Sequence, residues 1–174
     1  MRLRLIAPLL LSLAIAGSAI ARDRAESPAP SVTGAQEVEV VRVLVDAQSQ
    51  QPSIILQGKR DKRQFAMAID AAQIIAIAVP LQGLTPPRPL THDLFLTMFG
   101  RLRVTLTKVV VTDFRDDIYY ASVFLQTGTG EMVLDSRPSD AIALAVRAKV
   151  PVLVEDRVFE KGGAPVTAPR RPHI

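Results

Sequence analysis

The run MVLDSRPSDAIALAVRAKVPVLVE, Met132 to Glu155, decides the fold class. Its opening residues, Met132–Asp135, are apolar up to a terminal acid and read as a short strand. Pro138 fits the first turn of a helix, where its missing N–H is not needed. That helix extends on Ala, Ile, Leu and Val to about Lys149, and Pro151–Glu155 returns as a strand. Strand, helix and strand in so short a run place the chain in the α+β class.

Working outward, strands are expected at Val104–Asp113 and Ile118–Gln126, joined by the turn Arg115-Asp116-Asp117. The glycines of Thr127-Gly128-Thr129-Gly130 lead into the strand at Met132. Further upstream, Val38–Val45, Ser53–Gln57 and Gln64–Ile69 read as strands, and Asp70 caps a helix that runs to about Ala78 and is ended by Pro80. The prolines of 84–89 require an extended loop. Thr91 starts a helix whose Leu94, Phe95, Met98 and Phe99 recur at helical spacing, and Gly100 is placed to end it. A shift of 67 residues lays Val43–Asp46 on Val110–Asp113, Phe65–Met67 on Met132–Leu134 and Ile75–Val79 on Ile142–Val146. The expected fold is therefore a single α+β domain built from a duplicated β-β-β-α unit, with mixed or antiparallel sheets packed against helices.

The ends read differently. Arg2 and Arg4, an apolar run from Leu5 to Ala16, and Ala19-Ile20-Ala21 have the layout of a secretory signal peptide over residues 1–21, cleaved after Ala21 or, less well, after Ala16. About a dozen apolar residues are too few for a membrane span, which needs about 20; an N-terminal anchor and a buried helix are the competing readings. Residues 22–36 read as a flexible leader, 37–160 as one domain, and 161–174 as a disordered basic tail. The expected location is periplasmic or secreted, with no membrane contact once the leader is removed. With no cysteine, the fold must stand without disulfides and thiol chemistry is excluded. Loss of Arg2 and Arg4 lowers the formal charge from +4 to +2, so only a local basic patch could attract phosphates. The sequence leaves the oligomeric state open, a homo-oligomer included.

The 67-residue shift also serves as an internal control for chemistry. Opposite Asp135, Arg137, Ser139 and Asp140 stand Ala68, Asp70, Ala72 and Gln73, so the fold itself does not require the later polar set. Capping accounts for part of it: Asp140 is the third helical residue, and Ser136 or Ser139 can satisfy free N–H groups. Asp135 and Arg137 are left unexplained by capping.

Thr91-His92-Asp93-Leu94, Val110-Val111-Thr112-Asp113 with Tyr119-Tyr120-Ala121, and DSRPSDAIALAVRAKVPVLV from Asp135 to Val154 resemble the bifunctional nuclease domain family. The likeness keeps its order over about residues 85–160 and extends loosely from about 38; Arg137–Ala145 is its most specific piece. The resemblance implies hydrolysis of DNA and RNA, with nucleic acid as the partner. It transfers positions, not residue roles, and the export signal departs from the usual family setting.

Phosphodiester hydrolysis needs an activated water and a means of stabilising charge on the phosphate, and hard cations held by carboxylates supply both. Asp135 and Asp140, with Asp113, are the candidate Mg²⁺ or Mn²⁺ ligands, and Arg137 can grip a phosphate through its planar fork. His92 is the candidate general acid or base. Ser139, Arg115 and Tyr119 are the candidate substrate contacts; either Tyr119 or Tyr120 can stack a base, the other belonging to the core. Arg101, Arg103, Lys108, Arg147, Lys149 and Arg157 are further cations, scattered along the chain. Each role has a plain structural counterpart. Asp113 has a first-unit equivalent in Asp46 and can simply begin a turn; His92 can be a packing residue; Asp93 suits the helix dipole. Two histidines and no cysteine argue against a closed structural zinc site. The thin inventory supports a second function, a non-catalytic binding or assembly module.

Overall fold

Short strands come in two sets of three. In the computed structural model, which describes residues 34–45 and 50–162, they are β1 Gln36–Val45, β2 Pro52–Gly58, β3 Gln64–Ala68, and β4 Thr105–Arg115, β5 Ile118–Thr127, β6 Gly130–Ser136. Each set is followed by a helix, α1 Ala71–Leu81 and α3 Pro138–Ala148, while α2 Thr91–Arg101 lies between the sets. The chain closes with β7 Val152–Val154 and α4 Asp156–Lys161. All seven strands form one mixed sheet in the order β3-β2-β1-β7-β4-β5-β6, antiparallel throughout except where β4 and β7 run parallel. The expected plural sheets are thus a single sheet. Element order and pairing recur across β7, but this alone does not make one unit a copy of the other.

Alternate strand residues point into one shared core, and at the middle of β2, β4 and β5 the residues between them are buried as well. Ile54, Leu56, Phe65 and Met67 from the first set join Val109, Val111, Val123 and Leu125 from the second in one core. β7 adds Val152 and Val154 at the join, and α1 and α3 close over this face with Ile77, Ala141, Ile142 and Ala145. Alanines in α3 let that helix lie close to the sheet. The β4–β5 hairpin turns at Asp116 and Asp117, with φ of +52° and +59°, the paired positive angles of a two-residue turn that matches strand twist.

Several boundaries differ from expectation. Gln36, read as leader, is the first residue of β1; it is buried and donates to Asp61 Oδ2 at 2.8 Å. Desolvation raises the Asp61 carboxyl, but hydrogen bonds from Arg63 and Gln36 outweigh it and hold the group at about 2. Lys161, read as tail, ends α4. The signal peptide expected at 1–21, residues 22–33 of the leader and 163–174 of the tail lie outside the described residues. Pro80 does not stop α1: the helix continues through it to Leu81, and Gly83, φ +66°, closes the turn beyond, its N–H donating to the Pro80 carbonyl while that of Leu84 donates to the Val79 carbonyl. Gly100 does not end α2 either; Arg103 takes the left-handed position, φ +57°, with Val104 N–H on the Phe99 carbonyl. No described helix is long and apolar enough to cross a membrane.

The helices are tied by Arg147, a scattered cation in the sequence reading and a buried one here. Its side chain is 6% exposed and pairs with Asp93 of α2, Nε to Oδ1 at 2.9 Å. Its Nη1 donates to the Ala143 carbonyl of its own helix at 3.0 Å and to the Ala76 carbonyl of α1. Removing one partner of a buried pair costs about 3–5 kcal/mol, and Asp93 retains a third of its exposure, which favours the low end. Arg147→Met should therefore lower the unfolding free energy by about 3 kcal/mol, measured by urea denaturation; a loss below 1 kcal/mol would remove this tie from the account.

Candidate active site

β6 ends at Ser136, and Arg137 is the residue before the first helical turn of α3, with φ −65° and ψ 139°. Pro138 takes the first helical position, as its fixed φ favours. The turn aims Arg137 back across the helix start: Nε donates to Asp140 Oδ2 at 2.7 Å and Nη1 to Asp70 Oδ2 at 2.8 Å. The other oxygen of Asp140, Oδ1, lies 3.3 Å from His92 Nε2 in the first turn of α2. His92 is buried, and its neighbour Asp93 both accepts the Leu90 N–H and holds Arg147. The Asp140 carboxylate, before the salt link to Asp70, raises the Arg137 pKa and keeps that side chain charged.

These bonds decide the capping question. Asp140 spends both oxygens on side chains, and α3 has no side-chain cap bond at its start. Ser136 Oγ donates to the Arg137 carbonyl, not accepting from an N–H. The acid is in the place where a helix welcomes negative charge, but its hydrogen bonds go elsewhere.

His92, Asp140 and Arg137 border a cleft of about 760 Å³ between α1, α2, the start of α3 and β6. Its walls are Ile75, Leu90, Phe95, Phe99, Val123 and Leu134. A mostly apolar hollow with a few converging polar groups is the usual form of a ligand site, and such sites span about 300–1,000 Å³. One more polar side chain lines it: Gln73 of α1 is 9% exposed, and its Oε1 is buried without a hydrogen-bond partner.

The remaining sequence candidates are dispersed. Asp135 borders the cleft at its rim, yet it pairs with Ser122 and so alternates to the other side of the sheet from Leu134 and Ser136. It has no hydrogen-bond or ion-pair partner among the described residues. Asp113 accepts the Phe114 N–H at 2.8 Å and is flanked by Lys161 and Arg115 at 3.6 and 4.0 Å. Among the described residues no three His, Cys, Asp or Glu side chains gather as a metal site, so Asp113, Asp135 and Asp140 do not form the expected set.

Ser139 is buried and lines a separate hollow of about 330 Å³ with Tyr119. Tyr119 packs on Phe65 and Phe114, and burial pushes its hydroxyl up to about 12; it is the core tyrosine of the pair. Arg115 lies 4.1 Å over the Tyr120 ring and does not line the cleft. Arg157 is taken by the Thr112 carbonyl and buried Glu155.

Two participants escaped the sequence reading, Asp70 and Gln73. The signal for Asp70 was present, because the 67-residue shift sets it opposite Arg137, and the two form an ion pair. Gln73 carries no motif, and only its burial marks it.

A single mixed sheet with helices gathered over its core face, and an acid–histidine pair in an apolar cleft, define a small α+β domain with a candidate catalytic centre. The bifunctional nuclease domain matches residues 54–167. An uncharacterized protein of Mycobacterium tuberculosis is 34% identical over 127 residues, covering 73% of this chain and 76% of that protein. Bifunctional nuclease 1 of Oryza sativa subsp. japonica is 33% identical over 98 residues, 55% of this chain and 30% of that protein. The chain belongs to the bifunctional nuclease domain family.

The Arg137–Asp70 pair is open to water, its side chains 58% and 71% exposed. Exposed pairs contribute about 0–1 kcal/mol. Asp70→Ala should therefore change stability by less than about 1 kcal/mol in chemical denaturation; a larger loss would show that Asp70 does more than hold the outer edge of Arg137.

Proposed function

We propose that this domain is a nuclease that hydrolyses phosphodiester bonds of DNA and RNA, with His92 moving the proton, Asp140 orienting it and Arg137 holding the phosphate. The observation that supports this most is the Asp140 carboxylate, which bridges His92 and Arg137 in place of capping its helix. A histidine fixed by a carboxylate through one ring nitrogen can use the other as base or acid. The 3.3 Å contact is long for a hydrogen bond, as such contacts often are before substrate arrives. Arg137 spends two N–H groups on carboxylates and keeps three for phosphate oxygens.

In the step that follows, His92 takes a proton from water as the water oxygen bonds to phosphorus. The bond from phosphorus to the departing sugar oxygen breaks, and that oxygen receives the proton. Water as nucleophile makes the 2′-hydroxyl dispensable, which suits both DNA and RNA. The donors present do not fit the anticipated Mg²⁺ or Mn²⁺ ligand set: Asp140 is engaged on both oxygens, Asp113 is held elsewhere, and Asp135 stands by itself. No step is therefore routed through an ion.

A second reading, a non-catalytic binding or assembly module, draws on the exposed apolar groups at the cleft, Ile75 at 59%, Phe95 at 44% and Leu134 at 41%. We rank it below hydrolysis because greasy walls alone leave the Asp140 bridge without a purpose. Export, with action in the periplasm or outside the cell, is also part of the proposal and rests on residues 1–21.

Two measurements test these readings. The full chain should cut single-stranded DNA and RNA, assayed with Mg²⁺, with Mn²⁺ and with chelator. His92→Ala should lose about 10²–10⁴-fold of the rate, and Asp140→Asn and Arg137→Ala should fall with it. Parental rates in His92→Ala and Asp140→Asn would refute the assignment. Separately, intact mass of protein recovered from the periplasm should place Arg22 first; material that keeps Met1 would refute export by this leader.

A further inference from the structure

We infer that the apolar cleft receives one unpaired nucleobase, read at its edge by Gln73, while the phosphate of the same nucleotide lies at Arg137. This rests on the nuclease reading of the neighbouring residues. Three observations carry it. Gln73 lines the cleft and its Oε1 is a buried acceptor with no partner, so turning the amide to present that oxygen to a donor in the cleft relieves an unmet hydrogen bond. Every nucleobase has a ring or exocyclic N–H on its pairing edge that can be that donor. The walls bordering Gln73 include the Phe95 and Phe99 rings, and a base offers a flat face to such surfaces whatever its identity. Arg137 borders the same cleft as the amide, and the N–H groups it does not spend on Asp140 and Asp70 are donors for a phosphate, which suits a ligand that is apolar and flat in its body and phosphate-bearing at one end.

A base held this way cannot remain paired. The domain should therefore engage single strands, or bases swung out of a duplex at the cost of unstacking. The preference for single strands arises from cleft shape, not from overall charge, which is small.

Binding of a labelled phosphorothioate single strand, which resists cleavage, tests the inference by fluorescence anisotropy on the full chain. The comparison strands are the same sequence as a duplex and a sugar–phosphate strand without bases. The parent should bind the single strand at least about 10-fold more tightly than either comparison, since a stacked base adds affinity that a base-free or fully paired strand lacks. Gln73→Leu and Phe95→Ala should each weaken it about 10-fold while melting as the parent does, and Gln73→Leu should change the ranking among dA, dC, dG and dT strands. Equal binding of the base-free strand, or parental binding by both variants, would overturn the base pocket. If cleavage still depended on His92 and Asp140 in that case, the base pocket alone would fall. Neither cleavage nor binding by the parent would bring down both readings. A parent that sediments as a dimer dissociated by Phe95→Asp would assign the cleft to a second copy and overturn the inference.

Discussion

Everything around the cleft depends on how Arg147 is satisfied. Proline at position 80 has no N–H to give the carbonyl four residues back, and its ring crowds that carbonyl. The carbonyl in question belongs to Ala76, and Arg147 of α3 donates to it. A helix defect in α1 thereby becomes a bond between helices. The same guanidinium reaches Asp93 in α2, so one buried cation sets three helices against one another. Burying a charge is expensive unless its donors are met, and here the carboxylate and two carbonyls meet them. His92 sits beside Asp93, so fixing Asp93 also fixes the face from which His92 meets Asp140.

The sheet provides the other half of this geometry. β7 is only three residues long, yet it pairs with β1 on one side and β4 on the other, and Val109, Val111 and Val154 at that join are fully buried. Without it the two strand sets would share no edge. Once joined, they bring the starts of α1 and α3 close enough for Asp70 and Arg137, each the residue before its helix, to form an ion pair. The centre is therefore assembled across the two sets and is not confined to the later one.

Much of the fold was legible because the signals were local. Alternating strands, the Pro138 helix start and the Asp116-Asp117 turn each follow from a few neighbouring residues, and the structure has them within a residue or two. The misplaced ends were those set by tertiary contact. Pro80 is tolerated because Arg147, far along the chain, takes its orphaned carbonyl. Gln36 belongs to β1 because β7 pairs with it. In the site, Asp140, Arg137 and His92 do come together. Asp113 and Asp135 do not, because composition marks which residues can act but strand register decides the side they face. Burial of Gln73 and Tyr119 has no local signature at all.

The two carboxylates on Arg137 are not equivalent, and the difference bears on how a phosphate could enter. Asp140 is 29% exposed and holds Nε while also touching His92; Asp70 is 71% exposed and holds only Nη1. Coulomb attraction falls as water surrounds a pair, so the outer contact is the weaker one, on the order of 0–1 kcal/mol. An arriving anion competes with Asp70 at small cost and leaves the inner pair intact. On the nuclease reading, Asp140 then performs two tasks that need the same rigidity. It keeps the guanidinium plane oriented and holds the imidazole ring, so that phosphate and proton carrier are positioned from one side chain. Asp93 divides its oxygens between the Leu90 N–H and Arg147, whereas Asp140 gives both of its oxygens to side chains.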